Sequence, residues 1–253
     1  MIARIVIGFL FSAQAFASTM TVVVDPGHGG RDDGAVRDGR DEAAITLSVG
    51  RYLAEYLRAD KRFKVPLTRP GNETLTLPER ARFAKIKNAD IFVSIHVNSN
   101  PDGKARGAEF YFQNQLPPDE ESMFLAHREN SEGAAGTLSY GYLEERRLPS
   151  DIATIVTDLL DGDRILRSSQ LSKALKTSWT GSKKSKTNSV LQAPFFVLSQ
   201  MPLPSSLVEL GFLTNADDLR ELVDPGAQKR MARDLYRGLV AYKESMDKHT
   251  ATP

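Results

Sequence analysis

Short apolar runs alternate with stretches of helical periodicity along most of the chain. The runs short enough to be strands lie at 21–25, 63–69, 90–98, 107–113, 195–198 and 205–210. The stretches with helical spacing lie at 41–60, 77–88, 151–178, 216–223 and 226–246. Asp41 is a candidate N-cap of the first helix, and Pro66 indicates an edge or irregular position for its strand. The alternation predicts a single α/β domain with a mostly parallel sheet and helices on both faces.

The alternation is interrupted between residues 114 and 150. An acidic, helix-like stretch there is followed by "SEGAAGTLSYG". A segment of this length between elements of one sheet is usually functional or mobile. We therefore treat 114–150 as an inserted segment, with a long surface loop as the alternative.

The first seventeen residues form a unit of their own. Arg4 precedes an apolar stretch that ends in Ala15-Phe16-Ala17, a small-x-small cleavage pattern. This pattern predicts a signal peptide at 1–17 and a catalytic domain at 18–250. A membrane anchor is the alternative, but the apolar stretch is short for a membrane span.

The composition limits the binding partners and the metal ligands that the chain can be expected to use. The chain has 33 Lys and Arg against 32 Asp and Glu, so its formal charge of +1 gives no indication of nucleic-acid or anionic-membrane binding. It has no cysteine, so a metal site would have to use histidine and carboxylate ligands.

Two of the four histidines directly follow apolar strands. His28 comes after "VVVDPG", His96 comes after "IFVSI", and Glu209 is the next-to-last residue of "SSLVEL". Ligands of open α/β sheets bind outside the carboxyl ends of parallel strands, so these side chains are expected at one edge. Glu42 begins the first predicted helix and is expected nearby. Two histidines and one glutamate are typical of an open zinc site, in which water takes the fourth position.

Each of these residues also has a structural explanation when it is taken alone. His28 could be an exposed turn residue, and His96 a hydrogen-bonded core histidine. Glu42 could complement the helix dipole, and Glu209 could pair with an arginine. Spacing alone leaves both interpretations open.

Several motifs together resemble the zinc-dependent N-acetylmuramoyl-L-alanine amidases, the family that includes the cell-division amidases. They are "VDPGHGGRDDGAV", Glu42, "LTLPERARFAKIKNAD", "ADIFVSIHVNS" and "SSLVELGFLTN", and the resemblance spans about residues 20–245. It implies a twisted six-stranded sheet between helices, one Zn²⁺ held by His28, Glu42 and His96, and Glu209 as the catalytic carboxylate. The implied reaction is hydrolysis of the peptidoglycan amide between N-acetylmuramic acid and the L-alanine of the stem peptide.

The resemblance also gives the segment 114–150 a role. Cell-division amidases carry an insertion there that includes a helix blocking the active site, and a LytM-type activator protein releases it. If the segment of this chain acts in the same way, one of its glutamates could take the open zinc position. Glu144, Glu145, Glu120 and Glu121 are the candidates.

Three further residues are weaker candidates. Glu109 begins a strand after His96 and could approach the metal, although a half-buried glutamate paired with a base is the simpler interpretation. His127 is expected on a solvated helix face, and His249 in a frayed tail. The lysine-rich loop 181–189 is expected to be solvated, with contact to anionic wall polymers as the alternative.

These observations predict an exported monomer that acts on peptidoglycan in wall remodelling or daughter-cell separation. The expected location is the periplasm of a Gram-negative-type cell, or outside the cell, with no membrane attachment after the leader is removed. One alternative is another zinc hydrolase of the cell wall, a deacetylase or peptidase. A second is a non-catalytic wall-binding module on the same fold.

Overall fold

The computed structural model describes residues 19–114, 116–132, 150–181 and 190–250. The predicted leader at 1–17, Glu144, Glu145 and most of the loop 181–189 lie outside these ranges, as does the side chain of His249. The strands are β1 (Met20–Pro26), β2 (Val36–Arg37), β3 (Arg40–Asp41), β4 (Phe63–Lys64), β5 (Ile91–Asn98), β6 (Glu109–Phe112), β7 (Leu191–Gln192) and β8 (Ser205–Phe212). The helices are α1 (Glu42–Ala59), α2 (Leu77–Ile86), α3 (Glu120–Glu132), α4 (Ser150–Ser178), α5 (Phe196–Ser199), α6 (Ala216–Val223) and α7 (Pro225–Thr250).

Six strands form the central sheet, in the order β4-β1-β5-β8-β6-β7. β4, β1, β5 and β8 run parallel to one another, β6 lies antiparallel to β8, and β7 pairs with β6 in parallel. β2 and β3 form a separate hairpin just before α1. The predicted mostly parallel α/β architecture with six strands is confirmed.

Two predicted strands differ from the observed elements. The strand expected at 63–69 is limited to β4 and a single bridge between Val24 and Leu67, because Pro66 has no N–H to donate to a ladder. The apolar run 195–198 was wrongly predicted as a strand. Most of it forms the helical turn α5, and the edge strand β7 lies just before it. A four-residue apolar run fits a buried helical turn as well as a strand.

The sheet is covered by a hydrophobic core on each face. Val22 and Val24 of β1 pack with α1, α4 and α7 in the larger core, whereas Val23 packs with α2, α3 and α5 in the smaller one. This alternation follows from the two-residue period of a strand. Within the described ranges, none of the helices has both the length and the apolar character needed to cross a bilayer.

The same alternation sets the position of the polar side chains. Asp25 follows Val23 by two residues, and Glu209 follows Leu207 by two, so both face the smaller core. His96 is the register partner of Glu209 and lies on the same face. The carboxyl edge of the sheet therefore presents polar groups on the side that carries α2, α3 and α5.

Candidate metal centre

His28 lies on the tight turn that follows β1. It adopts a φ of 55°, in the left-handed region, and the adjacent Gly29 and Gly30 also have positive φ. Its Nδ1 lies 3.0 Å from Oδ2 of Asp32, and because a carboxylate can only accept, Nδ1 carries the proton. This arrangement directs Nε2 toward the edge of the sheet. A carboxylate on the distal nitrogen is the usual support for a metal-binding histidine.

Glu42 is the first residue of α1, and two backbone amides fix its carboxylate. Val97 donates to Oε1 at 2.8 Å and Ala35 donates to Oε2 at 3.0 Å. The helix begins here because Asp41 accepts a hydrogen bond from the amide of Ala44, as expected for an N-cap. The position of Glu42 is thus set by the helix start and by the end of β5.

His96 lies on β5 and packs against the backbone of Gly27. A Cβ added at Gly27 would lie 2.5 Å from Cε1 of His96, so only glycine leaves room for this ring. The rings of His28 and His96 meet edge to face, with centroids 5.0 Å apart.

Four buried side chains converge at this point: His28, Glu42, His96 and Glu129 of α3. Each offers one ligand atom, and these atoms lie within 4.8 Å of one another. Oε1 of Glu42 is 3.1 Å from both His28 Nε2 and His96 Nδ1. Oε2 of Glu129 is 3.3 Å from His28 Nε2 and 3.0 Å from His96 Nδ1.

The spacing of this donor set suits zinc. Zinc bonds of about 2.0 Å place neighbouring ligand atoms roughly 3.3 Å apart, close to the 3.0 to 3.3 Å that separate each imidazole nitrogen from each carboxylate oxygen. His28 Nε2 and Glu129 Oε2 are buried without a hydrogen-bond partner, as expected of atoms directed at a cation. Imidazole and carboxylate are ligands that zinc accepts readily.

The charges of the cluster also favour a bound cation. Burial disfavours the charged imidazole of His96, but Glu129 and Glu42 outweigh it and raise the pKa of His96 to about 10. Burial likewise opposes the charge of Glu42, yet His28 and His96 lower the pKa of Glu42 to about 2. The carboxylates thus stabilise positive charge at the centre of the cluster. The same two carboxylates would stabilise a divalent cation bound there.

Glu209 is the second notable carboxylate at this edge. It is fully buried, and neither of its oxygens has a hydrogen-bond partner. Burial, together with the negative charge of Glu129, raises the pKa of Glu209 well above its ordinary value. A buried carboxylate with no structural hydrogen bond, on the strand beside His96, is available for proton transfer.

The structure brings His28, Glu42 and His96 together and places Glu209 opposite His96 on the neighbouring strand. Glu109 is not in the cluster. It accepts hydrogen bonds from Asn98 and Tyr111 rather than from the basic side chain we expected. His127 is exposed on α3, as expected.

Sequence reasoning missed Glu129. Glu120 and Glu121, two of the proposed blocking residues, are exposed at the start of α3, whereas Glu129 is buried in the cluster. The signal that could have found it is helical spacing, since Glu129 follows the buried Leu125 by four residues and therefore shares its helix face.

Comparison with known proteins identifies the family of the chain. The family model described as N-acetylmuramoyl-L-alanine amidase matches residues 22–241. The chain is 31% identical over 243 residues to the probable N-acetylmuramoyl-L-alanine amidase AmiB of Haemophilus influenzae, covering 92% of this chain and 54% of that protein. It is 30% identical to N-acetylmuramoyl-L-alanine amidase AmiA of Escherichia coli, covering 94% of this chain and 81% of that protein.

A solved structure supports the fold. The N-acetylmuramoyl-L-alanine amidase from Clostridium difficile 630 superposes with a TM-score of 0.67 at 23% identity, covering 90% of this chain and 98% of that one. The chain spans only about half the length of the Haemophilus influenzae relative. The family match over nearly all of the described sheet shows that the chain belongs to the N-acetylmuramoyl-L-alanine amidases, which are hydrolases.

Proposed function

We propose that the protein is a zinc-dependent peptidoglycan amidase that cleaves the amide between N-acetylmuramic acid and the L-alanine of the stem peptide. The observation that carries the proposal is the convergence of His28, Glu42 and His96 beside the unpaired, buried Glu209. Family membership favours this substrate over other amides of the cell wall.

His28 Nε2, His96 Nδ1 and the carboxylate of Glu42 would hold the zinc. When bound there, zinc supplies a Lewis acid that polarises the scissile carbonyl and acidifies a water molecule. Glu209 accepts the proton of the attacking water and passes it to the leaving amine. Both oxygens of Glu209 are buried without a hydrogen-bond partner, which leaves them free for these two transfers.

The test is Glu209→Gln, with Glu109→Gln as the matched control on the neighbouring strand. We expect Glu209→Gln to keep its zinc and to lose roughly 10²- to 10⁴-fold in turnover, the usual contribution of a general base. Mass spectrometry of digested sacculi, with and without chelator, identifies the product. Intact stem peptides with a free L-alanine amine support the amidase. Released acetate, or an active Glu209→Gln enzyme, contradicts the proposal.

We further propose that α3 holds the site closed. Glu129 would then take the position of the substrate or water. Two observations support this: its Oε2 lies 3.3 Å from His28 Nε2 and 3.0 Å from His96 Nδ1, and α3 lies in the segment 114–150 predicted to be inserted. The helix is anchored by Leu125 and Ala126 in the smaller core and by Asn130, which bonds Pro194 and Phe196.

The blocking role is tested with Glu129→Ala and, as control, Glu120→Ala at the exposed end of the same helix. Glu129→Ala should raise basal digestion of sacculi by at least tenfold, whereas Glu120→Ala should leave it unchanged. A folded, zinc-loaded Glu129→Ala protein with unchanged or lower activity would contradict a closed state.

The outer face of α3 suggests where an activator binds. Met123 is 47% exposed and Phe124 65% exposed, while Glu129 of the same helix faces inward. We propose that a LytM-type activator contacts this face and draws α3 from the site.

We also propose that the protein is exported through the leader 1–17 and acts in the periplasm or outside the cell. There it would take part in wall remodelling or daughter-cell separation.

A further inference from the structure

The turn that carries His28 is held in an unusual backbone conformation by buried arginines. His28 has a φ of 55°, a conformation that persists in a non-glycine residue only where the surroundings enforce it. The surroundings here are guanidinium groups that donate to three consecutive carbonyls. Arg69 donates to Pro26 O at 2.9 Å and to Gly27 O at 2.7 Å. Arg80 donates to Pro26 O and to His28 O, both at 2.7 Å.

Arg80 comes from α2, which packs on the face of the sheet that carries the smaller core. It is 4% exposed, although it lies in a helix whose other basic residues are on the surface. Its charge is balanced by Asp25, whose Oδ1 is 2.7 Å from Nη1. Asp25 is fully buried and also accepts hydrogen bonds from Thr68 at 2.6 Å and Ser94 at 2.9 Å.

Asp25 and Arg80 therefore link β1, β5 and α2 to the backbone of the histidine turn. Both side chains are fully engaged with one another and with neighbouring groups, so Arg80 has little freedom to shift. The carbonyl of His28 is fixed from one side by Arg80, and its ring is fixed from the other by Asp32. The two contacts together determine where Nε2 points.

We propose that Arg80, paired with Asp25, is a positioning residue for the metal centre: it holds the backbone of the His28 turn so that Nε2 faces the cation. This inference rests on the proposed zinc site. Lysine cannot replace Arg80, because a single ammonium group cannot reach Asp25, Pro26 O and His28 O in the forked geometry of a guanidinium.

The test compares Arg80→Lys with Arg82→Lys, an exposed arginine on the same helix. Zinc affinity is measured by chelator competition on the full chain, and cobalt(II) replaces zinc to report ligand geometry by visible absorption. Arg80→Lys should raise the zinc dissociation constant 10- to 100-fold, the usual effect of losing a group that orients a ligand. Its cobalt spectrum should shift away from that of the wild type, whereas Arg82→Lys should match the wild type in both.

A second variant keeps the test decisive if Arg80→Lys does not fold. Asp25→Asn preserves shape and an acceptor oxygen but removes the charge opposite Arg80, and it should weaken zinc and alter the cobalt spectrum in the same direction. A folded variant with lower thermal stability but wild-type affinity and spectrum would overturn the positioning role. Wild-type protein that binds neither zinc nor cobalt would overturn the proposed function instead.

Discussion

Gly27→Ala is expected to remove zinc without unfolding the protein. A Cβ at this position would lie 2.5 Å from Cε1, 2.6 Å from Nε2 and 2.7 Å from Nδ1 of His96. Ordinary contacts between such atoms are about 3.5 Å, so the imidazole must move by roughly 1 Å. That displacement is about half the length of a zinc–nitrogen bond of about 2.0 Å, and His96 would cease to be a ligand.

The backbone of Gly27 accepts alanine, because it is not among the glycines with positive φ. The substitution therefore acts on the ring of His96. We expect the zinc dissociation constant to rise at least 10- to 100-fold, with sacculus digestion falling in parallel.

Chelator competition gives the affinity, and circular dichroism of the metal-free protein tests the fold. Gly162→Ala is the matched control, since a Cβ there meets nothing within 4 Å. Wild-type affinity in a folded Gly27→Ala protein would refute the assignment of His96 as a ligand packed on this glycine.

Two further predictions concern stability. Thr76→Ala should lower the free energy of unfolding by about 1 kcal/mol, because it removes the capping box that Thr76 forms with Glu79 at the start of α2. Urea titrations measure this difference, and an unchanged free energy would show that α2 does not depend on the cap. Asp60→Asn should reduce the loss of stability on acidification. Hydrogen bonds from Arg62 lower the pKa of Asp60 to about 2, so its contribution is complete above the unfolded pKa of about 4 and is lost as the pH falls toward 2. Urea unfolding at pH 4 and pH 2.5 checks this, and equal losses in wild type and variant would contradict it.

The proposed metal ligands could be predicted from the sequence because their positions depend on local structure. His28 and His96 each follow a strand of the same parallel sheet, and Glu42 begins the helix that follows the first strand. The direction of parallel strands brings such positions to one edge whatever the details of packing.

The remaining features depend on tertiary packing and were missed. Glu129 is one of several acidic residues in α3, and it is selected by the way Leu125 and Ala126 dock into the smaller core. Arg69 and Arg80 carry charges typical of surface residues, yet both are buried because the backbone of the histidine turn needs donors there.

The most direct test of the account is anomalous diffraction at the zinc edge from crystals of the purified chain. We predict one peak, roughly 2.0 to 2.2 Å from His28 Nε2, His96 Nδ1 and the carboxylate of Glu42. The contradicting result would be a zinc peak at another place in crystals grown with zinc, while these three side chains contact only one another.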